Sequence, residues 1–128
     1  MMFRTLSDVG PWEVAAFVDT NGVCAFHVQL EALFVDPNTR VVACGLQSQF
    51  DLIAKFGPTI LSAEAFQKLS DSIHAIKRDR FRVVGFLVEK RFVACTLHQL
   101  MGRTKRLDAA VIAAAELELR RYRANNIH

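Results

Sequence analysis

The chain has 128 residues, of which 52% are hydrophobic and 23% are charged. This composition, without any low-complexity tract, excludes intrinsic disorder, and the length suits one hydrophobic core rather than two. We therefore expect a single domain over residues 1–128.

Two further classes are disfavoured by the sequence. No apolar run approaches the roughly 20 residues that cross a bilayer, and residues 1–8 lack the basic segment and apolar run of a secretory signal. We expect a cytoplasmic protein with no membrane partner. The cysteines, Cys24, Cys44 and Cys95, are odd in number, widely spaced and set in apolar runs, which predicts buried thiols rather than disulfides.

The first third of the chain predicts a three-stranded antiparallel meander. A strand over 12–19 leads to Asn21-Gly22, a pair that supplies the positive φ angles of tight hairpins. The second strand covers 23–34, where apolar and polar residues alternate, and a turn at 36–39 leads to a third strand over 40–46.

Two helices are predicted in the middle of the chain. The first covers 48–56 and ends at the Gly57-Pro58 pair. The second covers 62–79, because Ser62 is a good N-cap and apolar residues follow at three- and four-residue spacing.

The last part of the chain predicts a hairpin and a helix. The hairpin covers 82–96 and turns at Glu89-Lys90, and an alanine-rich helix of about 16 residues begins near residue 107, with Asp108 as its N-cap. Its buried stripe is predicted at Val111, Ala114, Leu117 and Tyr122. The order βββααββα favours an α+β fold, with helices packed on a five-stranded antiparallel or mixed sheet.

The third to fifth predicted strands are apolar on both faces, so two middle helices cannot cover them. The cover for the second face is the C-terminal helix, a second copy of the chain, or an apolar ligand. We predict a homodimer. A ligand pocket would be lined by Phe26, Phe86 and Phe92.

No phosphate-binding loop, dinucleotide fingerprint or other cofactor or catalytic motif is present, so no cofactor is predicted. Structural zinc normally uses pairs of ligands that are close in sequence, and Cys95 with His98 is one such pair. His27 or His74 would add only a single distant ligand, so no metal site is predicted. One weak acid–base site remains, a polar row on the first two strands formed by Glu13, His27, Gln29 and Glu31.

Charge is distributed unevenly. Residues 1–72 carry four basic and eight acidic side chains, while residues 73–128 carry twelve basic and five acidic ones. If the basic segments converge, they would attract a polyanion such as nucleic acid. The candidate residues are Lys77, Arg78, Arg80, Arg82, Arg103, Lys105, Arg106, Arg120, Arg121 and Arg123.

Two other interpretations of this charge stay open. The basic residues could serve solubility and the helix dipole alone, or the acidic half of one subunit could meet the basic half of another. The favoured interpretation is a small homodimeric binding or accessory protein, whose apolar sheet face serves assembly or a small apolar ligand. A nucleic-acid or other polyanion-binding module is the alternative, and an enzyme ranks third.

Overall fold

We describe the protein from a computed structural model in which residues 2–125 are placed. In chain order the elements are β1 (Met2–Ser7), β2 (Glu13–Val18), α1 (Ala25–Val35), α2 (Arg40–Phe56), a short 3-10 turn (Pro58–Ile60), β3 (Phe66–Lys68), β4 (Ile73–Arg78), β5 (Phe81–Val88), β6 (Arg91–Gln99) and α3 (Ala109–Asn125).

The six strands form one mixed sheet in the spatial order β1-β2-β6-β5-β4-β3. Neighbouring strands are antiparallel except β2 and β6, which are parallel. The α+β class is confirmed, but the sheet has six strands rather than five, and the order along the chain is ββααββββα. Within residues 2–125, no helix is both long and apolar enough to cross a membrane.

The predicted second strand is wrong, because most of it is helix α1. Phe26 and Leu30 lie one helical turn apart and are buried, whereas Val28, which alternation placed beside them, is 59% exposed. Period-two and helical spacing coincide at positions 26 and 30, so the sequence alone did not distinguish them. Packing of α1 against α2 buries the helical pair.

The predicted third strand is also wrong, because it forms the first half of α2. Leu46, Phe50 and Ile53 repeat at helical spacing and are fully buried. The helix predicted over 48–56 is therefore longer at its start. It ends at Gly57 as predicted, where the glycine N–H donates to the Ile53 carbonyl oxygen at 2.7 Å.

The helix predicted over 62–79 is replaced by β3, a turn and β4. Ser62 does accept a hydrogen bond from the Ala65 N–H at 3.1 Å, as an N-cap would, but the chain then enters a strand. Ile73 packs on one face of the sheet and Ile76 on the other. The two residues have helical spacing in the sequence but belong to two separate cores. Pairing of β4 with β5 outweighs the local helical pattern.

Each face of the sheet carries its own core. The first face, which includes Val83 and Phe92, lies under α1 and α2. The second face, which includes Val84 and Phe86, lies under α3. The C-terminal helix, one of the three predicted covers, therefore covers part of the second face.

Helix α3 begins close to the predicted position, but the predicted buried stripe is only partly right: Val111 and Tyr122 are partly buried, whereas Ala114 is exposed. The Asp108 carboxylate accepts a hydrogen bond from the Ala110 N–H at 3.1 Å, which caps the helix. Ala115 and Leu119 are its buried residues, whereas Leu117, predicted to be buried, is 42% exposed.

The β5–β6 pair contains an irregularity at Gly85, where the register skips Cys95. A Cβ on Gly85 would collide with the carbonyl oxygen of Val93 on the neighbouring strand. The close approach of the two backbones therefore requires glycine.

A gap opens between β2 and β6 beyond their parallel pairing, which ends at Ala16 and Ala94. The side chain of Gln29 on α1 fills part of this gap. Its Nε2 donates to the Leu97 carbonyl oxygen at 3.1 Å, and its Oε1 accepts from the Leu97 N–H at 3.2 Å. The Gln29 amide thus makes the two backbone hydrogen bonds to Leu97 that a neighbouring strand would otherwise make.

Candidate functional site

Basic side chains collect at the end of the sheet where β4 ends, β5 begins and β6 ends. Antiparallel pairing aligns Lys77, Arg82 and His98 across the three strands. Side chains alternate along each strand, which places this row on the face covered by α3. We call residues 77–82, His98 and the loop 101–108 the basic end.

Arg80 fixes the loop to the sheet at the basic end. Its Nε donates to the Leu100 carbonyl oxygen at 2.7 Å, and its Nη2 donates to the carbonyl oxygens of Gly102 and Thr104 at 2.8 and 3.0 Å. The Leu100 N–H donates in return to the Arg80 carbonyl oxygen at 2.7 Å. A loop without regular structure is therefore held beside the β4–β5 turn.

The fixed loop carries three further cations, Arg103, Lys105 and Arg106. All three are exposed, and none forms an ion pair within residues 2–125. Nearby, Lys77 is partly neutralised by Glu64, at 3.3 Å. The loop cations are therefore uncompensated.

Arg82 is a cation with only 7% of its surface exposed. Its Nη1 donates to the carbonyl oxygens of Asp79 and Phe81 at 2.8 and 2.9 Å, and no carboxylate of residues 2–125 pairs with it. Burial, and to a smaller extent the neighbouring Arg80, lowers the pKa of Arg82. Backbone carbonyl oxygens therefore satisfy part of this buried guanidinium in place of a carboxylate.

Arg78 lies across helix α2 at Gly45. A Cβ at that glycine would overlap the Arg78 guanidinium, so the missing side chain makes room for the arginine. Within residues 2–125, Arg78 has no hydrogen-bond or ion-pair partner. Its guanidinium is thus placed by packing while its donors stay available.

The remaining basic candidates lie elsewhere. Arg120, Arg121 and Arg123 are near the end of α3, a helix of 17 residues, which at 1.5 Å per residue spans about 25 Å. Arg120 and Arg123 lie near residues 70–72, before the start of β4, and Arg121 pairs with Glu118 at 2.9 Å. The predicted set therefore divides into the basic end and a separate helix-end group.

The predicted polar row is dispersed, because part of it lies on a helix instead of a strand. His27 and Glu31 are one turn apart on α1, with Nε2 and Oε1 separated by 3.8 Å. Glu13, at the start of β2, pairs instead with Arg91 at 2.8 Å. Gln29 is engaged by β6, as described above. An acid–base role for these residues stays a prediction.

The three aromatic residues predicted to line a ligand pocket are buried in two different cores. Phe26, on α1, and Phe92, on β6, belong to the core of the first face, whereas Phe86 lies under α3. The structure does not bring the three rings into one pocket.

The thiols and imidazoles considered for zinc are likewise not assembled. Within residues 2–125, no group of three His, Cys, Asp or Glu side chains is placed to hold a metal.

Burial, with a smaller effect of Glu118, raises the pKa of the Cys95 thiol to about 12. His74 stacks on Phe66 with ring centroids 4.9 Å apart, and burial, then Lys68, lowers its pKa. Cys24 is buried, but Cys44, predicted to be buried on a strand, is exposed on α2.

Two contributors to the basic end were missed in the sequence. The sequence predicts His98 as a surface or capping residue rather than a zinc ligand, with no link to the basic residues, and it places Gly45 in a predicted strand. A glycine inside a helical pattern often marks a close contact, and this signal points to Gly45 once residues 40–56 are recognised as one helix.

No protein-family model matches this chain, and a search of curated proteins found no similar sequence.

Proposed function

We propose that the protein binds nucleic acid through the basic end. One observation carries the proposal: Arg80 holds the loop 101–108 against the β4–β5 turn, so that the loop's three cations, which form no ion pair within residues 2–125, are attached to the end of the sheet that carries Arg78. Arg103, Lys105 and Arg106, fixed in this way and outside any ion pair within residues 2–125, suit a phosphate backbone, because each contact releases a condensed counterion.

The other functions suggested by the sequence have less support. A homodimer was predicted from an uncovered sheet face, but α3 occupies much of that face. The oligomeric state stays a prediction. The proposal assigns binding alone and does not assign a reaction to the basic end.

The first test is the salt dependence of binding to a fluorescein-labelled single-stranded oligonucleotide, measured by fluorescence anisotropy. With Arg78, Arg103, Lys105 and Arg106 as about four phosphate contacts, log K should fall against log [NaCl] with a slope of about −3. Between about 25 and 200 mM NaCl the affinity should then drop about 300-fold. Absence of binding at low salt would contradict the proposal.

A charge-matched pair of triple variants separates this site from general attraction. R103A/K105A/R106A and R120A/R121A/R123A each remove three positive charges, one set at the basic end and the other at the far end of α3. We expect the first to weaken binding at low salt at least tenfold and to reduce the slope by about 2, since about three contacts are lost. The second should stay within about twofold of the unmodified protein. Equal losses in both variants would show that net charge, and not the basic end, governs binding.

A further inference from the structure

A second feature lies on the other side of β6, where β2 and β6 separate. β2 leads to α1 on the first face of the sheet, and β6 leads to α3 on the second face. Adjacent parallel strands whose connections leave on opposite faces form a crevice beyond their carboxyl ends, and ligands bind at such points in open sheets.

A cleft of about 620 Å³ occupies this position. Its lining comes from both faces and includes Phe17 and Val18 of β2, Phe26 of α1, Cys95 of β6 and Glu118 of α3. The volume lies within the range of small-molecule sites.

The floor of the cleft is apolar because α3 does not cover the whole second face. The helix packs mainly on β4, β5 and β6 and reaches β1 through Tyr122, whose ring lies 5.7 Å from that of Phe3, whereas Phe17 on β2 is only half-buried. The Phe17 ring lies 5.1 Å from the Phe3 ring and 6.0 Å from the Phe86 ring, centroid to centroid. An aromatic surface is thus held in place by core packing and is open on one side.

The charges at the cleft are mainly negative. Among the described residues that line it, the carboxylates are Asp19 and Glu118, and the one cation is Arg121. Arg121 already pairs with Glu118 at 2.9 Å, so its charge is balanced. The Cys95 thiol stays protonated at neutral pH and adds no charge. A net negative charge remains beside the aromatic floor.

We propose that this crevice binds a small aromatic amine, independently of the basic end. Its ring packs on Phe17, and its ammonium group lies between Asp19 and Glu118. Aromatic contact and charge complementarity then act together, because the carboxylates attract the cation that the apolar floor alone would not select.

Two probes that share a phenylethyl group and carry opposite charges test this proposal: phenethylamine and 3-phenylpropionate, titrated into the ¹⁵N-labelled protein by NMR. We expect the amine to shift the amide signals of residues 17–26 and 94–95, and the acid to bind at least tenfold more weakly. Equal binding of the two probes, or no shift at millimolar amine, would overturn the proposal.

A double variant removes the charge while keeping the hydrogen bonds. In D19N/E118Q the new amide oxygens still accept from the N–H groups of Asn21 and Val23, at 2.8 and 2.9 Å in the parent, and from Arg121. Amine affinity should fall at least tenfold. The control E31Q/D36N removes two carboxylates outside the cleft and should bind as the parent does; equal losses would contradict the assignment.

A third variant, A25W, closes the cleft from the exposed first turn of α1. It should abolish the amine-induced shifts, with an unchanged spectrum elsewhere reporting an intact fold. Undiminished amine binding by a folded A25W protein would place the ligand elsewhere and overturn the proposal.

Discussion

The first face of the sheet lies under two helices, and the second lies under one. Six strands about 4.8 Å apart make a sheet roughly 24 Å wide, whereas a helix with its side chains is about 10 Å across. α1 and α2 together nearly span the first face, while α3 leaves a margin on each side of its path. The crevice by β2 lies at one margin, whereas the row through Arg82 crosses β4, β5 and β6 at their ends.

This difference separates two tasks. The first face contains the largest fully buried side chains of α2, Leu46, Phe50 and Ile53, and we expect it to contribute most to stability. The second face is less completely buried, and chemically distinct surfaces remain beside α3. Changes to the two faces should therefore have different consequences.

The largest effect is expected from shortening a core residue on each face. Phe50→Ala, on a fully buried residue of α2, should lower the free energy of unfolding by about 4 kcal/mol. Leu119→Ala, on α3, should lower it by about 2.5 kcal/mol, since α3 can shift towards its open margins. Urea denaturation measures both. A larger loss for Leu119→Ala would mean that α3, and not the helix pair, holds the main core.

A smaller effect is expected where α1 closes the gap in the sheet. Gln29→Ala removes both hydrogen bonds to the Leu97 backbone and should cost about 1–2 kcal/mol. Hydrogen exchange at the Leu97 amide should become faster, because its acceptor is lost. Val28→Ala, at an exposed neighbour, is the control and should change stability by less than about 0.5 kcal/mol. Unchanged exchange at Leu97 would count against the strand-replacing role of Gln29.

The smallest effect is expected at Gly45, and it tests whether the well-covered face also contributes to the basic end. Gly45→Ala should raise stability by about 0.5 kcal/mol, because alanine favours helix and the arginine it meets can move. The same substitution should weaken oligonucleotide binding about three- to fivefold, since Arg78 loses its position, a loss of about 1 kcal/mol.

A double-mutant cycle with Arg78→Ala completes this test. If Gly45 acts through Arg78, adding G45A to R78A should cause no further loss of binding. Additive losses would contradict that route.

The sequence predicted those elements whose local pattern agrees with their tertiary environment. The hairpin of β5 and β6, with its turn at Glu89 and Lys90, and the capped helix α3 were found because no competing pattern exists there. Phe26 and Leu30 fit a strand and a helix equally well, and only the exposure of Val28 distinguishes them. The N-terminal strand β1 was not predicted, and its pairing with β2 becomes visible only in the sheet.

The candidate site was predicted as a set of residues and not as a place. The basic residues were identified by their number, but sequence order does not show that α3 carries Arg120 and Arg123 away from the others. The contacts of Arg80 with three carbonyl oxygens could not be predicted either, because the sequence does not show which backbone carbonyl oxygens a side chain will reach. Long-range geometry, rather than residue type, separates the fixed cations from the dispersed ones.

The parallel pairing of β2 with β6 also constrains how the chain folds. It joins segments at opposite ends of the sequence, as the pair of Glu13 and Arg91 illustrates with a separation of 78 residues. Closing so long a loop is slow, because its entropy is lost before the contacts form. During synthesis, the β1–β2 hairpin and the helix pair emerge long before the strand that completes their sheet. The apolar face of the N-terminal half therefore stays unpaired until β6 has left the ribosome. A chaperone would be needed most during this interval.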